Sequence, residues 1–128
     1  MTKNNNAKVT KYDNIVEDAQ TECMVKLEGV ELKTFELYEA IANNDLQAAE
    51  QAIIEGANVN AQNQPCWEED NDTPLDSAAM WSSSYDCSFE MIKLLRKYGA
   101  TNYDLEKVKY LDKANQCGVA EFIQKKHE

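Results

Sequence analysis

The sequence predicts an all-α chain, a short solenoid of stacked helix–turn–helix pairs with one enlarged loop. Apolar residues recur at three- and four-residue spacing along most of the chain, the pattern of amphipathic helices. Only two prolines and four glycines occur among 128 residues, too few for an all-β chain with many tight turns. The chain also repeats itself. A shift of 43 places Leu46, Ala49 and Ala52 on Phe89, Ile92 and Leu95, and a shift of 38 places Leu37 on Leu75 and Ala40 on Ala78. The second unit therefore carries five more residues between its helices. Self-similarity on this scale belongs to stacked helical pairs, and the length suits one domain.

Met1 to Lys11 is polar and Lys/Asn-rich, and reads as a flexible N-terminus over 1–11. From Tyr12 to Lys26, Ile15, Val16, Ala19 and Cys23 recur at helical spacing, so 12–33 is expected to form an N-terminal cap interrupted at Glu28-Gly29-Val30. The first unit, 34–63, opens at Thr34 with a short helix carrying Phe35, Leu37, Tyr38, Ile41 and Ala42. Asn43-Asn44-Asp45 is a turn that supplies an N-cap to a second helix, and Gly56 ends that helix as a left-handed C-cap. In the second unit, 64–102, Thr73 caps a helix, Pro74 suits its first position, and Asp76 follows three residues after the cap. Ser82 to Asp86 reads as a polar separator, before a helix with Phe89, Ile92 and Leu95 that stops at Gly99. The last segment, 103–128, reads as capping helices: Leu105, Val108, Leu111 and Ala114 form one stripe, and Val119, Phe122 and Ile123 another after Gly118. Its many lysines and acids suit the polar outer face of a terminal unit.

These motifs resemble those of the ankyrin repeat family. Thr73-Pro74-Leu75-Asp76-Ser77-Ala78-Ala79 is similar to the family's T-P-L-H-x-A opening, and Gly56-Ala57-Asn58-Val59-Asn60-Ala61 to its exit after the second helix. The likeness spans Thr34 to Asn102, about half the chain. There are three departures. Asp76 stands where the family has a histidine that ties neighbouring loops together. Asn44 and Cys87 stand where the family has glycine at the helix–helix turns. The period of 43 exceeds the usual one of about 33, the excess lying in Ser82 to Asp86 and between Ala61 and Thr73, where the family makes its finger-like hairpin.

The resemblance implies that fingers and first helices line a concave binding face. The expected partner-binding residues are Gln62, Asn63, Gln64, Trp67, Glu68, Glu69, Asp70, Asp72, Asp76, Met80 and Trp81. Trp67 is the aromatic anchor of the finger, its carboxylates would meet Lys or Arg on a partner, and extra loop length often carries function. The competing reading folds Trp67 onto the core and leaves the acids solvated. Trp81 is expected to pack inside above a longer turn. Asp70-Asn71-Asp72 is not an EF-hand: no glycine follows, and the position of the distant glutamate holds Trp81.

Composition narrows the function classes. A formal net charge of -10 opposes nucleic acid, and Lys107, Lys109 and Lys113 are interleaved with acids, so they read as solvated helix surface. The same charge fits a partner with a basic surface, or solubility alone. No run of about 18 apolar residues exists, and Met1 to Ala7 lacks a secretory core, so a cytoplasmic location without membrane contact is expected. Cys23, Cys66, Cys87 and Cys117 form no C-x-x-C pair and are expected as free thiols; one histidine, His127, makes structural zinc unsuited. No triad, Cys–His pair or phosphate loop is present, so no catalytic residue, metal or cofactor is assigned. The expected function is non-enzymatic: a module, monomeric when free, that binds and inhibits or regulates another protein, such as an acidic immunity-type inhibitor of a basic toxin. The alternatives are an adaptor or secreted host-directed effector and, from another class, a small metal-dependent hydrolase.

Overall fold

The computed structural model describes residues 21–67, 71–85 and 87–125. Among these residues the chain is helical and contains no strand; a single antiparallel bridge joins Gln64 and Trp67. A helical stretch over 21–25 precedes α1 (Gly29–Ala42), α2 (Leu46–Ile54), α3 (Pro74–Tyr85), α4 (Glu90–Lys97), α5 (Leu105–Asn115) and α6 (Val119–Gln124). The flexible segment 1–11 and most of the helix expected after Tyr12 lie outside the described residues, as do Glu68, Glu69 and Asp70.

The helices pack as pairs laid side by side. α1 packs on α2, α3 on α4 and α5 on α6 within pairs; α1 packs on α3 and α3 on α5 between first helices, and α2 on α4 between second helices. Leu37, Ile41, Leu75, Ile92, Leu95, Val108, Val119 and Ile123 are fully buried, one unbroken core running through all three pairs. Each such side chain contributes about 1.5–3 kcal/mol by leaving water. The small faces of Ala40, Ala49, Ala78 and Ala79, all buried, let the helices approach.

The helix ends follow the local chemistry. Asp45 accepts from the Ala48 N–H at 3.0 Å and Asp104 from Glu106 at 3.0 Å and Lys107 at 3.4 Å, each satisfying donors that a helix start leaves open. Asn44 holds φ +55, and the Asp45 N–H returns to Ala40 O at 2.9 Å, closing α1 with a left-handed turn. Gly56 and Gly99 do the same for α2 and α4: the Ala57 and Ala100 amides return to Ala52 O and Leu95 O at 3.0 Å. Cys87 has φ +60, so both positions where the resemblance expects glycine take the left-handed backbone without it.

Three sequence expectations change. α1 starts at Gly29 and not at Thr34, because its first turn is little buried (Val30 is exposed) and so carries no apolar stripe to read. Ser82 to Tyr85 is helical, so this insertion lengthens α3 by a turn and does not form a loop; Ser82 is itself buried. The cysteines are not free thiols. Cys23 pairs with Cys66 and Cys87 with Cys117, with Cα separations of 5.8 and 5.5 Å. The partners lie 43 and 30 residues apart in sequence, and only the stacking of units brings them together. Core assignments at Leu37, Leu75, Ile92 and Leu95 match full burial, Ile53 and Phe89 pack on the core's edge, and Phe35 faces Trp67 at the finger.

Candidate partner-binding face

The connection from Ala61 to Thr73, described at 61–67 and 71–73, is held at its base by the units on either side. Tyr38 in α1 is buried, and its hydroxyl donates to Asp72 O at 2.5 Å, with Ala61 O at 3.5 Å. Its one proton goes to Asp72 O, and the same hydroxyl lies near Ala61 O, so one side chain sits between both ends of the finger. Burial, then the nearby Asp72 and Asp76 carboxylates, push the Tyr38 phenol well above its ordinary range, so it stays a neutral donor. At the tip, Gln64-Pro65-Cys66-Trp67 closes a turn through Trp67 N–H to Gln64 O at 2.9 Å. Proline at its second position and φ +73 at Cys66 are the pattern of a type II turn. Cys66 is then fixed covalently to Cys23, and the Trp67 ring lies 5.9 Å from Phe35.

Neighbouring units are stitched at the same edge. Asn60 donates from Nδ2 to Gly99 O at 3.1 Å and accepts from the Thr101 and Asn102 amides at 2.8 and 3.1 Å. Within units, Thr34 Oγ1 accepts from Asn58 N–H at 2.8 Å in the first, and Thr73 Oγ1 donates to Asn102 O at 2.7 Å in the second. Asp76, only 6% exposed, accepts from Thr73 N–H at 3.0 Å and, with its other oxygen, from Asp104 N–H at 2.8 Å. The carboxylate ties its own helix start to the start of the next unit, the task the resemblance gives to a histidine.

The expected site residues divide into separate groups. Gln62, Asn63 and Gln64 gather with Val30, Thr34 and Asn58 around a hollow of about 300 Å³. Gln62 is exposed, Gln64 Nε2 reaches Glu39 Oε2 at 3.5 Å, and Asn63 Oδ1 is buried without a hydrogen-bond partner. Trp67 is half-buried against Phe35, between the two readings weighed for it. Asp72, Asp76 and Met80 line a separate groove of about 470 Å³ with α5. Trp81 packs on the core as expected, but from within a helix. Asp76, though it lines that groove, is turned inward onto the Thr73 and Asp104 backbone amides.

The α5 side of that groove, Glu106, Lys107, Tyr110 and Leu111, was outside the sequence-predicted site. Lys107 is not simply solvated: its ammonium donates to Asp72 Oδ1 at 2.7 Å and Asn71 O at 3.0 Å, and the Asp72 bond holds its pKa above the ordinary value. The available signal was Tyr110, an aromatic residue off the Leu105/Val108/Leu111 stripe and 72% exposed. Among the described residues, no cluster of three His, Cys, Asp or Glu side chains is placed to hold a metal ion, and no helix is long and apolar enough to cross a membrane. No protein-family model matches the chain, and neither the curated proteins nor the solved structures include a match.

Proposed function

We propose that this chain is a non-enzymatic protein-binding module built on divergent ankyrin-like repeats, acting by occupying a partner's surface and so inhibiting or regulating it. The observation that carries the reading is the finger: an extended connection with Tyr38 between its two ends, fixed at its tip to Cys23, and bordered by two hollows. The turn Gln64–Trp67, held this way, loses little entropy on binding, the condition for a preorganised contact surface. Further support comes from Asp76 and Asn60, whose bonds run along the edge where the resemblance places unit-to-unit ties. The net charge of -10 favours a partner with a basic surface, as in an immunity-type inhibitor of a basic toxin.

One observation favours a variation. Two disulfides pair all four cysteines, which suits an oxidising compartment better than the cytoplasm expected from the sequence. An exported inhibitor or effector fits this better than a cytoplasmic adaptor.

The test is isolation of the partner from the native host on the immobilised oxidised chain, then affinity measurement with the purified partner. Trp67→Ala combined with neutralisation of Glu68, Glu69 and Asp70 is expected to weaken binding, as is 1 M salt, where the Debye length falls to about 3 Å. Unchanged affinity under both perturbations would remove the finger and the charge from the reading.

A further inference from the structure

We infer that the groove between α3 and α5 seats a segment of a partner protein in which an arginine or lysine adjoins an aliphatic or aromatic side chain. The inference rests on the protein-binding reading above and adds the chemistry of what is bound. The groove's volume, about 470 Å³, lies within the span of pockets that take a defined group. Its floor is apolar, formed by Met80 from α3 and by Val108 and Leu111 from α5. Tyr110 stands at its side, 72% exposed, a large ring that α5 does not commit to the core.

The charge around this apolar floor is net negative. Asp72, Asp76 and Glu106 face a single cation, Lys107, a net of -2 from three acids against one base. Lys107 is already engaged by Asp72 and Asn71 O, and Asp76 by two backbone amides. Glu106 is exposed and makes no ion pair among the described residues. An incoming arginine or lysine meets the Glu106 carboxylate and the face of Tyr110, an arrangement that attracts cations. The adjoining apolar side chain covers Met80 and Leu111, removing their surface from water. A segment with acids in place of the bases would approach like charge. The hollow between α2 and α4 offers no such selection: Glu50 and Glu90 there are matched by Lys97 and Lys93, both paired.

The experiment follows the backbone amide signals of the ¹⁵N-labelled, oxidised full chain by NMR. The probes are an N-acetylated, C-amidated hexapeptide alternating arginine with leucine and phenylalanine, and its counterpart with glutamate for arginine. The basic peptide is expected to shift Met80, Glu106, Tyr110 and Leu111 to saturation, and the acidic peptide to leave them in place. Glu106→Lys with Tyr110→Ser, both exposed positions, is expected to weaken the basic peptide by about tenfold or more, equal to about 1.4 kcal/mol; Glu106→Gln alone weakens it less and serves if the double variant does not fold. Equal response to both peptides overturns the charge selection. No response, or shifts confined to the finger, overturns the groove assignment; if the host partner still binds through the finger, the protein-binding reading survives that failure.

Discussion

Removing the disulfides gives the sharpest test of how this chain is held together. The Cys23–Cys66 and Cys87–Cys117 links span 43 and 30 residues, and their loops do not overlap. The chain-entropy expression assigns about 4.0 kcal/mol to the first and about 3.6 kcal/mol to the second at 25 °C. Domains of this kind are stable by about 5–15 kcal/mol, so each link is a large share and the fully reduced chain is marginal. Cys23→Ser with Cys66→Ser, and Cys87→Ser with Cys117→Ser, are each expected to lower stability by about 3–4 kcal/mol. With a urea slope of about 1–3 kcal/mol/M, the midpoint falls by more than about 1 M. Because the links are separate, the quadruple variant loses the sum to within about 0.5 kcal/mol. The assay is urea unfolding followed by far-ultraviolet circular dichroism, with thiol titration of the folded protein beside it. Four titratable thiols in the folded protein under non-reducing conditions, or midpoint shifts below about 0.3 M, would refute the reasoning.

Three further outcomes are expected. Asp76→Ala leaves the Thr73 and Asp104 amides without their acceptor and costs about 2–4 kcal/mol, measured by the same urea titration; Asp76→Asn, which retains one acceptor oxygen, costs less. Tyr38→Phe loses about 1–2 kcal/mol at neutral pH. The folded phenol's pKa lies above its unfolded value of about 10, so the unfolded chain gives up its proton first; wild-type stability therefore falls as pH rises above about 10, and Tyr38→Phe flattens that fall in urea melts at pH 9 to 11. Tyr98 donates to Glu50 Oε2 at 2.6 Å, and this bond, then Lys97, lowers the Glu50 pKa, so its contribution is present above the unfolded value of about 4.3 and is lost as pH falls through the lowered folded value. Tyr98→Phe is expected to raise the Glu50 carboxyl titration in NMR, and an unmoved titration would remove that assignment.

The periodic elements were legible because their signal is local. Leu37 and Leu75, like Leu95 on Ala52, sit where a repeat shift puts them, and burial follows from that register. The cap at Asp45 acts within three residues, so its residue type suffices to suggest it, whereas the cap at Asp104 was not read from the sequence. What escaped were features made by distance in the chain. Cys23 and Cys66 meet only because the N-terminal segment lies beside the finger, and nothing in their spacing says so. Asp76 looked like a surface departure from a motif, yet its environment is supplied by Asp104, 28 residues on. The groove was half legible: Asp72, Asp76 and Met80 came from the resemblance, while Tyr110 and Glu106 belong to a unit whose repeat signature is worn away. Ser82 to Tyr85 misled because its composition favours turns, whereas Trp81 and Ser82, set against the core, let the helix run on.

The two covalent links also decide what a protease can do to the molecule. A single cut between Cys23 and Cys66, or between Cys87 and Cys117, opens a ring but leaves its pieces joined as one particle. Only a cut between Cys66 and Cys87 parts the halves, and most of that stretch is α3, where Pro74, Leu75, Ala78 and Ala79 are among the most buried residues of the chain. Such a chain survives nicking inside either ring, and it parts only where the finger residues after Cys66 or the buried central helix are cut.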